Sequence, residues 1–231
     1  VHPRPDERHA KFSDLKDIKS AYVRFIIQIS IVLTFVVFND LQLFNTKIYL
    51  LDRLLSNDFF NYIFVSFCIL IVINGSNFFD GLNTLNIGYY LLVSLIIFYL
   101  MQNQIISANE IFIEYLLIVL LILFFLNLIN KIYLGDSGSY LLGFTFAVFL
   151  IKLYIDNQYL SPFFIIVLLW YPSYETLFSI IRKNIMNKSP MNPDSNHLHQ
   201  QIFHLIKRKL KLSKLYSNLL AANLINLYNL V

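Results

Sequence analysis

Charged residues are scarce in this chain of 231 residues, because Asp, Glu, Lys and Arg together make up only 14% of it. An ordinary globular domain has about 25%. A nucleic-acid-binding module with a solvated basic face is therefore a poor fit, and we expect no nucleic-acid partner. The single cysteine, Cys68, excludes an internal disulfide and a metal site built from several cysteines.

Hydrophobic residues, in contrast, reach 57%, and Phe, Tyr and Trp alone reach 16%. The mean hydropathy is +0.61. Such an aromatic-rich composition argues against disorder and against collagen-like repeats. It is typical of a protein that lies in a membrane.

Seven apolar stretches are long enough, at about 1.5 Å per helical residue, to cross about 30 Å of hydrocarbon. We therefore predict an all-α polytopic membrane bundle of about seven transmembrane helices, with a polar tail over residues 1–21 and a transmembrane domain over residues 22–231. The predicted spans are 22–38, 59–73, 85–101, 111–129, 140–155, 163–181 and 215–231.

The positions of Lys and Arg predict the orientation, because short basic loops stay in the cytoplasm. With the tail inside, all of the 18 basic residues except Lys47, Arg53 and Lys152 are cytoplasmic. This orientation places three connecting segments, at about residues 74–84, 130–139 and 182–214, on the cytoplasmic face.

Polar residues recur where the second span ends, in the sequence NGSNFFDGLNTLN. Asn74, Asn77 and Asp80 are three residues apart, so they lie on adjacent turns of one helix face, and Asn83 follows. A helix end capped by Asn and Asp is one explanation. The other is a functional site, since amides and a carboxylate at a membrane boundary are costly unless bonded or hydrated.

A second polar turn reads GDSGS and contains Asp136. Its small residues let a ligand approach the backbone, and the amides that open the next helix favour an anion. Asp136 suits Mg²⁺, which takes one or two carboxylates together with phosphate oxygens. An ordinary helix cap remains the alternative.

The long loop 182–214 carries His197 and His199 near many Lys and Arg residues, a setting suited to phosphate or diphosphate. Two imidazoles without cysteine do not make a zinc site. Glu175 lies inside a predicted span and needs a polar partner there, in a structural or a catalytic role.

Four strings in this order, NGSNFFDGLNTL, KIYLGDSGSYLLGF, YPSYETLFSIIRK and SPMNPDSNHLHQ, resemble the polyprenyl-phosphate N-acetylhexosamine-1-phosphate transferases. This bacterial glycosyltransferase family 4 includes the undecaprenyl-phosphate N-acetylglucosamine-1-phosphate transferases and the phospho-N-acetylmuramoyl-pentapeptide transferases. The resemblance covers nearly the whole chain from about Ser13 onward.

The resemblance implies transfer of a sugar 1-phosphate from a UDP-N-acetylhexosamine to undecaprenyl or another polyprenyl phosphate, with release of UMP. This reaction starts the synthesis of cell-envelope glycans. It implies an enzyme of the bacterial inner membrane with its active site on the cytoplasmic side, and it is compatible with a homodimer. The implied cofactor is Mg²⁺, with Mn²⁺ as an alternative.

The family's motifs also imply roles for particular residues. Those matched to catalytic positions are Asp14, Asp17, Asp80 and Asp136, of which Asp136 and Asp14 match metal ligands. Those matched to substrate binding are Asn74, Asn77, Asn83, His197 and His199.

Two departures leave alternatives open. Ser13 stands where the family has the first acid of an Asp pair, and the chain begins where the fourth of roughly ten helices is expected. A truncated or degenerate relative without turnover is therefore the second interpretation. A transporter is the third, but it predicts charged residues near span centres, and these spans have almost none.

Overall fold

The computed structural model describes residues 5–187 and 197–229, and the side chains from residue 22 onward within those ranges. There the chain is helical, without β-strands, so the predicted all-α architecture is confirmed. The ten helices are α1 (Pro5–Phe38), α2 (Tyr49–Leu55), α3 (Asp58–Phe78), α4 (Leu85–Gln102), α5 (Glu110–Leu128), α6 (Gly135–Asp156), α7 (Pro162–Leu168), α8 (Trp170–Ile185), α9 (Leu198–Leu210) and α10 (Lys214–Tyr228).

Four of these helices, α3, α4, α5 and α6, are long and apolar enough to cross a membrane. The pair α7 and α8 makes a fifth crossing if it forms one bent span. The predicted count of seven is not confirmed, because the apolar part of α1, Tyr22–Phe38, and the 15-residue α10 are both shorter than a full span. The chain is nevertheless a multi-pass membrane protein.

The predicted span over residues 163–181 is divided in the structure into two helices, because α7 and α8 meet at an angle of 75°. The cause is Pro172, which has no N–H to donate and whose ring would clash with the carbonyl four residues earlier, that of Leu168. Helix α7 ends at that residue. The freed Leu168 carbonyl instead accepts a hydrogen bond from Oη of Tyr89 at 2.8 Å.

Helix α3 is the centre of the bundle and packs against α1, α2, α6 and α8. Its approach to α8 depends on Gly75, where an added Cβ would lie 1.9 Å from the carbonyl oxygen of Pro172. One turn further along α8, Oγ1 of Thr176 donates to the carbonyl of Ile71 at 2.8 Å. The two helices are therefore fixed against each other at backbone distance.

The ends of several helices gather at one end of the bundle: α3 and α5 end there, and α4 and α6 begin there. Helix α1 runs from Pro5 to Phe38 without a break, so the predicted tail and the first apolar stretch share one helix. The side chains of Asp14 and Asp17 lie outside the described residues, as do the structures of Ser189 and the other loop residues up to 196.

Candidate functional site

Two acidic side chains, Asp80 and Asp136, line one cavity of about 330 Å³ at this end of the bundle. Asp80 lies in the turn between α3 and α4, and Asp136 is the second residue of α6. Ser139, one turn further along α6, donates a hydrogen bond through Oγ to Oδ2 of Asp80 at 2.8 Å. The structure thus brings the two acidic motifs of the sequence into one site.

A buried amide, Asn127 at the end of α5, connects the two turns that carry the acids. Its Oδ1 accepts the backbone N–H of Thr84 at 2.6 Å, and its Nδ2 donates to the carbonyl of Ile132 at 2.8 Å. Thr84 has a φ of 69°, a left-handed conformation that is uncommon for a residue other than glycine. The amide therefore stabilises a turn whose backbone conformation is unfavourable by itself.

Asp136 is more than half exposed and forms an ion pair with Arg24 of α1, with Nη1 and Oδ2 3.0 Å apart. An exposed pair of this kind contributes about 1 kcal/mol or less to stability. The ion pair matters for the site more than for stability, because it places a cation from a third helix beside the cavity.

Asp80 is less exposed, and burial raises the pKa of its carboxyl from 3.8 to about 6. That value includes a smaller upward effect of the negative charge of Asp136 and a downward effect of the hydrogen bond from Ser139. Two carboxyls that share a cavity disfavour each other's ionisation. A cation or a proton is therefore favoured between them.

The structure places the predicted asparagines differently from one another. Asn77 lines the cavity and donates through Nδ2 to Oη of Tyr140 at 3.0 Å. Asn83 also lines it. Asn74 does not line it; its Nδ2 donates to the carbonyl of Leu70 in its own helix at 2.8 Å.

The two predicted histidines lie together beside a buried carboxylate. Nδ1 of His197 is 2.9 Å from Oε2 of Glu175, and Nδ1 of His199 is 3.9 Å from Oε1. The imidazole rings stack nearly parallel, with centroids 5.7 Å apart. His197 precedes α9 with an extended backbone, which lets both rings face the same way.

The histidine pair reaches the acidic turn at Gly81. A Cβ added at Gly81 would lie 2.4 Å from Nε2 of His199, so a side chain here would displace the ring. Gly81 also lines the cavity with Asp80 and Asp136. The histidines, the α3–α4 turn and the start of α6 therefore form one continuous polar region.

Sequence reasoning missed Asn127 and counted Arg24 only as a basic residue. Asn127 could have been found, because a lone amide inside the apolar run ILFFLNLI is costly unless it has partners. Nothing in the sequence indicated the pairing of Arg24 with Asp136, since the two residues lie far apart in the chain and belong to no common motif.

The residues present fit a magnesium ion. Mg²⁺ binds proteins through one or two carboxylates and takes its remaining oxygens from water and substrate phosphates. Asp136 and Asp80 supply two carboxylates to one cavity. Among the residues with described side chains, no cluster of three or more His, Cys, Asp or Glu is arranged to hold a metal, so a site made wholly of protein ligands is not seen there.

Comparison with known protein families identifies the family of this chain. The profile described as glycosyl transferase family 4 matches residues 12–154. The chain belongs to glycosyl transferase family 4. The matched segment contains both acidic motifs, with Asp80 and Asp136, whereas Glu175 and the histidines lie beyond it.

Three curated relatives of this family member are similar over shorter segments. The chain is 38% identical over 74 residues to a probable undecaprenyl-phosphate N-acetylglucosaminyl 1-phosphate transferase of Bacillus subtilis, covering 31% of this chain and 20% of the relative. It is 32% identical over 80 residues to the undecaprenyl-phosphate alpha-N-acetylglucosaminyl 1-phosphate transferase of Thermotoga maritima, covering 35% and 25%.

The third relative is the decaprenyl-phosphate N-acetylglucosaminephosphotransferase of Mycolicibacterium smegmatis, 35% identical over 109 residues, which cover 39% of this chain and 26% of the relative. The matches therefore span between a fifth and about a quarter of the length of these relatives. No solved structure matches the chain.

Proposed function

We propose that this family member transfers an N-acetylhexosamine 1-phosphate from a UDP-sugar to a polyprenyl phosphate and releases UMP. The observation that carries the proposal is the pair of carboxylates, Asp80 and Asp136, in one cavity at the end of a membrane bundle. The printed names of the relatives, which refer to undecaprenyl and decaprenyl phosphate and to N-acetylglucosamine 1-phosphate, support this substrate class.

In the proposed reaction an oxygen of the lipid phosphate attacks the β-phosphorus of the UDP-sugar. The bond from that phosphorus to the bridging oxygen breaks, and UMP leaves with the oxygen and its electron pair. The sugar keeps its phosphate, and the product is a diphosphate-linked lipid. Such a transfer needs alignment of the reactants and stabilisation of charge more than it needs covalent help from the protein.

Both substrates are anions, and the acids Asp80 and Asp136 by themselves would repel them. A Mg²⁺ ion, held by Asp136 with Asp80 beside it, would neutralise this charge and orient the phosphates. The protein itself contributes a positive charge and the positions of its side chains. Arg24 brings a guanidinium to the cavity edge. Asn77 lies in the cavity wall and is held there by its hydrogen bond to Oη of Tyr140.

The distribution of basic residues supports a cytoplasmic orientation of the cavity, and we propose that the membrane is the bacterial inner membrane. There a nucleotide sugar arrives from the cytosol and the lipid phosphate from the bilayer, so a site at the membrane boundary can be reached by both. The sugar and the length of the polyprenol are left open.

The test is a transfer assay in membranes that carry the chain, with radiolabelled UDP-N-acetylglucosamine, undecaprenyl phosphate and Mg²⁺. We expect a metal-dependent labelled lipid and its loss in Asp136→Asn, because the neutral amide is a weaker Mg²⁺ ligand. Asp156→Asn is the matched control: Asp156 is the last residue of the same helix, is exposed, and lies at the opposite end from the cavity.

Normal transfer by Asp136→Asn would remove Asp136 from the reaction. If well-inserted wild-type protein yields no lipid product with this or other UDP-sugars, the proposed activity is refuted for this chain. The interpretation as a degenerate relative, suggested by Ser13, would then take its place.

A further inference from the structure

A buried carboxylate holds the histidine pair, although no family motif used above assigns it a role. Glu175 is 2% exposed, and His197 and His199 are 6% and 0% exposed. Burying a carboxylate costs several kcal/mol unless it is paired and hydrogen-bonded. Its contact with His197, 2.9 Å between Oε2 and Nδ1, provides such a pairing.

The cluster is only half bonded among the residues that the structure describes. Oε1 of Glu175 and both ring nitrogens of His199 are buried there without a hydrogen-bond partner. The 3.9 Å between Oε1 and Nδ1 of His199 is too long for a hydrogen bond. Buried polar groups are normally bonded, so these atoms indicate a site built for one more partner.

The unbonded Nε2 of His199 lies against Gly81, at the cavity wall. An imidazole whose Nδ1 donates to a carboxylate keeps Nε2 free to face a ligand, and the carboxylate favours the form of the ring in which both nitrogens donate. With Glu175 on the Nδ1 side of both rings, the Nε2 atoms are left for a ligand. For His199 that ligand position adjoins the acidic turn.

The carboxylate is held on a rigid support. The residue after it, Thr176, donates to the carbonyl of Ile71 on α3 at 2.8 Å, and Pro172 packs against Gly75 one turn before it. Helix α3 then continues to the turn that carries Asp80. The support of the histidines and the acidic turn therefore belong to the same packed pair of helices.

We propose that Glu175 is a positioning residue that anchors His197 and His199, so that their Nε2 atoms face the diphosphate of the nucleotide sugar. This inference rests on the proposed function. Glu175 itself does not touch the substrate: it acts through the two imidazoles. In the proposed complex both ring nitrogens of His199 act as donors, Nδ1 to Oε1 of Glu175 and Nε2 to a phosphate oxygen.

The decisive variant is Glu175→Gln, which keeps the shape of the side chain but removes the charge. An amide has one acceptor oxygen for two imidazoles, and its NH₂ group opposes an Nδ1–H donor. Loss of a partner that orients a histidine costs about 10- to 100-fold at metal sites. We expect a rise of that order in KM for the UDP-sugar, with KM for the polyprenyl phosphate unchanged.

The purified variant should still fold, because Gln keeps the packing of Glu, but its thermal midpoint should fall, because the buried His197 loses its charged partner. Glu175→Asp, which restores the carboxylate, should recover part of the lost affinity. Glu114→Gln, at an exposed position of α5, is the control and should behave like the wild type.

An unchanged KM for the UDP-sugar in folded Glu175→Gln would overturn the proposal. So would an equal rise in KM for both substrates, which is what a merely structural role predicts. Calorimetric binding of the UDP-sugar, wild type against Glu175→Gln, gives a readout without turnover. If the wild type binds the UDP-sugar but makes no lipid product, the proposed function fails while the binding difference still tests Glu175.

Discussion

Replacing Asn127 by alanine should both destabilise the protein and loosen the candidate site. The side chain makes two hydrogen bonds, from the N–H of Thr84 and to the carbonyl of Ile132, at 2.6 and 2.8 Å. Each is worth about 1 kcal/mol net, and a buried donor left without a partner costs about 1–3 kcal/mol. Thr84 is 1% exposed, so water cannot replace the lost acceptor.

The lost bond to Ile132, at about 1 kcal/mol, and the unpaired N–H of Thr84, at about 1–3 kcal/mol, together amount to about 2–4 kcal/mol. For a chain of this size 1 kcal/mol shifts the thermal midpoint by about 2–4 °C, so Asn127→Ala should lower it by about 4–16 °C in detergent. Transfer activity at a permissive temperature should fall as well, because the left-handed Thr84 loses the bond that holds its turn against α5.

The matched control is Asn223→Ala in α10. The amide of Asn223 donates only to the carbonyl of Leu219 in its own helix, at 2.8 Å, and is partly exposed. Its removal should shift the midpoint by no more than about 3 °C. If Asn127→Ala and Asn223→Ala melt alike, the reasoning that Asn127 joins the two turns is refuted.

Two further predictions concern packing and protonation. Gly75→Ala should prevent accumulation of folded protein, because the new Cβ would lie 1.9 Å from the carbonyl oxygen of Pro172. Only a shift of the helix backbone could relieve this clash. Monodisperse protein in size-exclusion chromatography would contradict the prediction. The kcat/KM of transfer should fall as pH drops through about 6, where the half-buried Asp80 takes up a proton. Ser139→Ala should move this acid limb of the pH profile to higher pH, because it removes a bond that lowers the pKa of Asp80. An acid limb at the same pH in Ser139→Ala and in the wild type would contradict this pH prediction.

The helices were largely predictable from the sequence because membrane spans depend on local composition. The predicted spans 59–73, 85–101 and 111–129 lie inside or within one residue of α3, α4 and α5. The hydropathy of the sequence did not predict the 75° bend between α7 and α8. Pro172 marks its position in the sequence, but its direction depends on what α8 packs against.

The site was predictable where its chemistry lies in short motifs. Asp80 and Asp136 stand out because acids at the edge of an apolar run need a reason, and the structure places both in one cavity. The partners of these groups were not predictable. Arg24 reaches Asp136 from another helix, and no spacing in the chain indicates such a contact.

Asn74 shows the limit of a pattern taken alone. It shares the three-residue spacing of Asn77 and Asp80, yet its amide bonds to its own helix and does not line the cavity. Spacing fixes the face of a helix, but the neighbouring helices decide how far along that face the cavity extends.

The central claim is that the sugar moves together with its phosphate. The measurement that tests it most directly uses UDP-N-acetylglucosamine labelled with ³²P at the β-phosphate, in membranes that carry this chain with undecaprenyl phosphate and Mg²⁺. The account predicts labelled lipid and unlabelled UMP, both absent in Asp136→Asn. Label that stays in the nucleotide as UDP while sugar enters the lipid would contradict it, since the bond broken would then lie between the sugar and its phosphate.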